Sequence, residues 1–110
     1  MNIGTMRKPS VKCALLAAII AEHRWGSPIV EENLLSISAI ETGDYPTASE
    51  VFEELRSEPY ITNSGDRGIE LNNSEFGVLA DVLYDECEWE AFEIRSRLKH
   101  YEGWDRHDWA

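Results

Sequence analysis

Between Tyr60 and Leu71 the chain carries its single pair of β-prone runs, and the sequence around that pair is punctuated into helices. Tyr60-Ile61-Thr62 and Ile69-Glu70-Leu71 flank Asn63-Ser64-Gly65-Asp66-Arg67-Gly68, a stretch rich in residues that tolerate turn geometry, so the segment reads as a β-hairpin. The fold is thereby confined to helices arranged around one small hairpin.

Ser10 is the expected N-cap of a first helix from Val11 to about His23, ended by Gly26. Val11, Leu15, Ala18 and Ile19 recur at helical spacing, and Leu16 and Ile20 widen the stripe, which places this helix deep in the core. Ser27-Pro28 is a second start signal, with Ser as N-cap and Pro at the first helical position, for a helix over 28–38 that turns Val30, Leu34 and Ile37 inward. Gly43-Asp44-Tyr45-Pro46 breaks the chain, because Pro46 disfavours helix at Tyr45. Thr47-Ala48-Ser49-Glu50 then reads as a capping box, with Thr47 as N-cap, opening a third helix over 47–57. Its apolar face is Ala48, Val51, Phe52 and Leu55, and Pro59 stops it. Beyond the hairpin, Asn72 and Glu75 form a capping pair, and Ala80, Leu83, Cys87, Ile94, Leu98 and Tyr101 follow a 3–4 repeat. The expectation is one long helix over 74–102, or two with a joint near Glu88, followed by an aromatic tail over 103–110.

The 110 residues are about one domain's worth, with 43% hydrophobic residues and a formal net charge of −11. The charge is unevenly placed. Residues 1–24 hold Arg7, Lys8, Lys12 and Arg24 against Glu22, whereas residues 25–94 hold only Arg56 and Arg67 against seventeen carboxylates. An acidic middle repels nucleic acid and anionic membranes, so any DNA contact must come from a few local basic groups. Only three of the ten basic residues are Lys, a balance that resembles proteins of halophilic archaea. Cys13 and Cys87 lack CxxC spacing and read as two buried free thiols, which favours a reducing interior. Arg7, Lys8 and Lys12 before the apolar run of residues 13–21 look superficially like a secretory signal. That run is too short to span a bilayer and reads better as a buried helix, so the expected location is cytoplasmic, away from membranes.

The order of three helices, a hairpin and a last long helix resembles the winged-helix-turn-helix regulators, particularly small archaeal ones with a C-terminal dimerisation helix. The resemblance spans about residues 10–102 and rests on that order, on the Pro46-Thr47-Ala48-Ser49-Glu50 helix start, and on the Gly65-Asp66-Arg67-Gly68 tip. It implies a mainly α fold with a small β-hairpin: a winged-helix core over 1–73, its wing near 60–71, and a dimerisation helix over 74–102. It also implies a homodimeric transcriptional regulator whose partner is double-stranded DNA. The third helix would enter the major groove with Thr47, Ser49 and Arg56, and Arg67 would stand at the wing tip. Lys12 would add a basic contact from the start of the chain. Hydroxyls and Arg suit phosphates and base edges, and Arg also suits a narrow minor groove.

Two features depart from that pattern. The third helix exposes Glu50, Glu53 and Glu54 beside Glu58, and the link from Ile37 to Pro46 exceeds the usual 3–4-residue turn. The alternative is therefore an acidic protein-interaction module with a basic protein partner, including a small viral inhibitor that presents carboxylates in place of DNA phosphates. Trp89 and Phe92 lie off the main apolar seam. Together with Leu83, Cys87, Ile94, Leu98 and Tyr101 they are the expected subunit interface of a homodimer, the rival being a Trp104–Trp109 tail folded back over the same surface.

Catalysis is not expected, because no nucleophile or base comes with a positioned partner. Gly65-Asp66-Arg67-Gly68 lacks phosphate-loop spacing, and Glu86, Glu88, Glu90 and Glu93 read as a solvated helix face. His100, Asp105 and His107 are the set that could meet a metal, but an ordinary polar tail is the better reading, and no metal or cofactor is expected.

Overall fold

The computed structural model describes residues 6–22, 27–99, 101, 104 and 109. It is mainly helical with one small antiparallel sheet. The helices are α1 (Lys8–Ala21), α2 (Glu31–Ile37), α3 (Tyr45–Leu55), α4 (Phe76–Asp85) and α5 (Ala91–Leu98). The strands are β1 (Ile61–Asn63) and β2 (Ile69–Leu71), paired as Ile61 with Leu71, Thr62 with Glu70 and Asn63 with Ile69.

α1 is the centre of the molecule. Val11, Leu15, Leu16, Ile19 and Ile20 are buried, and the helix packs most extensively on α3 through that helix's Ala48, Val51, Phe52 and Leu55. It begins earlier than the sequence suggests. Arg7 is the N-cap and Pro9 lies in the first turn, where its missing N–H costs nothing, so Ser10 is inside the helix and does not cap it. His23 and Gly26, expected near its end, lie outside the described residues.

The second helix starts late. Ile29, expected in the first turn of a helix over 28–38, instead exchanges two backbone hydrogen bonds with Ile69 of β2 (2.8 and 3.0 Å), adding a third, single-residue row to the sheet. α2 therefore starts at Glu31 with Val30 as N-cap, and the Ser27-Pro28 signal is overridden by sheet pairing. The close approach depends on Gly68. Its φ is +101°, and a Cβ there would come within 1.9 Å of the Ile29 carbonyl oxygen.

α3 also departs from its expected start. A 3-10 turn over Thr42–Asp44 runs directly into it, Tyr45 is helical (φ −59°, ψ −38°), and Thr47 sits within the first turn and is not the N-cap. Pro46 is tolerated because first-turn N–H groups need no intrahelical acceptor. Asp44 is buried at this junction, and its Oδ1 accepts the backbone N–H of Met6 (3.0 Å).

Between Phe76 and Leu98 the chain takes the second of the two expected forms, two helices with a joint at Glu88. After α4, Glu88 takes φ +59°, a left-handed conformation rare outside Gly, and the Trp89 N–H closes the turn on the Leu83 carbonyl (3.0 Å). Asn72 does act as a cap, accepting the Ser74 N–H (3.1 Å) ahead of the 3-10 turn that leads into α4.

The joint is pinned. Cys13 and Cys87 are joined by a disulfide (Cα–Cα 5.5 Å), which corrects the expectation of two free thiols and removes the argument from them for a reducing interior. The tail then returns to the body. Trp104 is buried against Phe76 (ring centroids 6.5 Å apart), and the Tyr101 hydroxyl donates to the Ile20 carbonyl (2.9 Å) in the last turn of α1. The Trp109 indole N–H donates to Asp81 (2.8 Å).

Candidate functional site

The sequence-predicted DNA-binding side chains divide by what already holds them. Arg56, at the C-cap of α3, donates through Nε to Glu53 (3.0 Å) and through Nη1 to the Asn63 side chain (2.8 Å) and the Gly65 carbonyl (3.0 Å). Its guanidinium stands over the Phe52 ring at 5.1 Å. Arg56 is thus a clip between α3 and the hairpin turn, with most of its five donors spent. Ser49 donates to Glu31 (2.7 Å), tying α3 to α2. Thr47 is half-buried in the first turn of α3.

Lys12 is half-buried and pairs with Glu86 (2.9 Å), with its Nζ 6.0 Å from the Tyr60 ring centroid. Burial pulls the ammonium pKa down. The hydrogen bond to Glu86 and the nearby Tyr60 hydroxyl outweigh that and hold it above its ordinary value. Tyr60 itself is pushed up to about 12, first by burial. Lys12 and Glu86 immediately precede Cys13 and Cys87, so the ion pair and the disulfide staple the same two segments.

Arg67 alone of the predicted set is exposed with no side-chain partner among the described residues. It lies in the 3-10 turn Gly65–Arg67 that forms the hairpin tip. Lys12, Ser49 and Arg56 are thus engaged within the chain, and Arg56 is bonded to the same turn that carries Arg67.

The outward side of α3 is acidic. Glu50, Glu53 and Glu54 have side chains 64%, 61% and 58% exposed, which leaves them open to a partner. Lys8 from the start of α1 reaches Glu54 (2.8 Å) and Glu50 (3.3 Å), and those hydrogen bonds raise its pKa. Such exposed pairs are individually weak, and an incoming cation can exchange for Lys8.

The expected subunit interface is mostly internal. Leu83, Ile94 and Leu98 are fully buried in the chain's own core, while Cys87, held in the disulfide, and Tyr101, bonded to α1, are half-buried. Trp89 is half-buried with the Arg97 guanidinium 5.9 Å from its ring, and Phe92 is 76% exposed. The fold-back of Trp104 and Trp109 accounts for the rest of the aromatic cluster.

His23, His100, Asp105 and His107 lie outside the described residues; among the described residues no cluster of His, Cys, Asp and Glu is placed to hold a metal ion. Among them, too, no helix is long and apolar enough to cross a membrane. Two features escaped the sequence reading, the disulfide and the buried Asp44, and the joint expected near Glu88 is made by that residue's left-handed conformation. The first had a signal in the two cysteines, but nothing in their spacing brings them together. Comparison with protein families, curated proteins and solved structures finds no match to this chain.

Proposed function

We propose that this chain is a winged-helix domain acting as an acidic protein-interaction module for a basic protein partner. The observation that carries this reading is the state of α3: the helix that would enter a DNA groove exposes Glu50, Glu53 and Glu54, while its Ser49 and Arg56 are consumed internally. The winged-helix part is supported by three helices leading into an antiparallel hairpin, with Ile29 ahead of α2 pairing to β2. Carboxylates at that position repel phosphate and attract Lys and Arg, and their long-range field speeds encounter with a cationic partner.

The test is a pair of binding assays. No duplex, including the chain's own promoter, should shift at any salt concentration, and pull-down from source extract should enrich one basic protein in stoichiometric amount. A duplex bound in a salt-sensitive manner overturns the proposal. One observation favours that second reading, a DNA-binding regulator: Arg67 is exposed and unengaged at the hairpin tip. For a regulator, Arg67→Ala should lower the salt slope by about one without loss of folding.

A further inference from the structure

α5 turns Ile94 and Leu98 inward, where both are fully buried, and Phe92 lies on the opposite side of the same helix. The chain's own packing gives no reason for an aromatic there. At 76% exposure Phe92 is the most exposed large apolar side chain among the described residues. A single exposed apolar residue is ordinary, but this one lies in a concavity. Phe92, Glu88, Glu90, Glu93, Ser96 and Arg97 line a shallow groove, wide open to solvent, of about 580 Å³. Glu88 and Glu90 are exposed and form no ion pair among the described residues, while Glu93 is 4.0 Å from Arg97. The Arg97 guanidinium is engaged with Trp89 at 5.9 Å and with Glu93, so the groove's free charge is negative.

We propose that this groove is where the basic partner docks: an amphipathic segment of the partner seats an apolar side chain on Phe92 and sets Lys or Arg against Glu88 and Glu90. This rests on the reading that the partner is basic, and it adds where that partner is anchored. An aromatic anchor with a charged rim divides the work in the usual way, the anchor giving residence time and the rim giving encounter rate and salt dependence.

The experiment is an NMR titration of the full chain with a short synthetic amphipathic peptide of lysine and leucine. Phe92→Ser, the pair Glu88→Gln with Glu90→Gln, and the pair Glu50→Gln with Glu54→Gln on α3 are run in parallel. Chemical-shift changes should concentrate on residues 88–97. Phe92→Ser should weaken binding about tenfold or more while the thermal midpoint stays put, because the side chain is outside the core. The Glu88/Glu90 pair should flatten the salt dependence most, and the α3 pair should slow encounter while leaving the dissociation rate near wild type, because α3 steers the partner and the groove anchors it. Shifts on α3 with no effect of Phe92→Ser overturn the groove and leave the acidic module standing. No binding by the wild-type chain overturns the groove. So do concentration-dependent shifts at 88–97 in the protein alone, which assign the face to a second copy.

Discussion

Replacing both cysteines, Cys13→Ser with Cys87→Ser, should cost this chain a large part of its stability, and the size can be worked from the fold. The disulfide closes a loop across a sequence separation of 74 residues, joining the middle of α1 to the joint after α4. In the chain-entropy relation, releasing a loop of that length returns about 4.5 kcal/mol to the unfolded state at 25 °C. Whole domains of this size are stable by about 5–15 kcal/mol, so the loss is decisive. With an unfolding entropy of about 2.1 cal/mol/K per residue over 110 residues, the thermal midpoint should fall by roughly 15–20 °C.

Urea unfolding followed by tryptophan fluorescence measures it, with wild type and variant each run with and without reductant. Reduced wild type should coincide with the double variant, and reductant should leave the variant unchanged. The oxidised protein should also show the smaller m-value, because a cross-linked unfolded chain exposes less surface. A double variant within about 1 kcal/mol of the oxidised protein would refute the reasoning. The joint would then be held by packing and the Lys12–Glu86 pair alone, with the unfolded chain already compact.

The other expectations come from single contacts. Gly68→Ala should destabilise by about 3 kcal/mol or more, since a Cβ would meet the Ile29 carbonyl oxygen at 1.9 Å with φ at +101°; hydrogen exchange should show the Ile29 and Ile69 amides losing protection together, and a neutral result would remove the bridge. Trp104→Ala should cost about 3–5 kcal/mol by emptying the site against Phe76, read as a lowered urea midpoint; an unchanged midpoint would mean the tail does not close the core. Tyr60, raised from 10 to about 12, binds its proton more tightly folded than unfolded, so its contribution is fully present below pH 10 and is lost as pH rises through about 12. That difference corresponds to about 3 kcal/mol, and ultraviolet titration should show a tyrosine step at about 12; absence of that step would contradict the burial.

The hairpin and the apolar faces of α1 and α3 were legible because they depend on short-range pattern, whereas Ile37 of α2, expected inward, is 42% exposed. Val11, Leu15, Leu16 and Ile19 in α1, and Ala48, Val51, Phe52 and Leu55 in α3, all reach the core that their spacing assigns them. Helix starts were less legible. Ser10, Pro28 and Thr47 each carry a sound local signal, but capping is worth only about 1 kcal/mol. At Ile29 that preference loses to two backbone hydrogen bonds with a strand forty residues downstream. The 3–4 repeat of Ala80, Leu83, Cys87, Ile94, Leu98 and Tyr101 was equally sound: four are buried, and Cys87 and Tyr101 are half-buried. What periodicity could not say was whether the partner face belonged to another copy or to α1 and the returning tail.

The candidate site was the least legible part, for a physical reason. A basic residue advertises a phosphate contact only if its donors remain free after folding, and that depends on which carboxylates and carbonyls arrive beside it. Arg56 and Arg67 are alike in sequence, each a lone cation in an acidic stretch, yet the turn at Gly65 consumes Arg56 and leaves Arg67 outside. Lys12 is removed in the same way by Glu86, far along the chain and brought next to it by the neighbouring disulfide. With seventeen carboxylates against two arginines over residues 25–94, almost any buried or half-buried cation finds an internal partner, and the carboxylates left over define the surface. Net charge therefore states the sign of the partner more reliably than any single basic residue does. On the proposed reading that sign is positive, which is why the acidic face of α3 and the groove at Phe92 carry it, and the arginines do not.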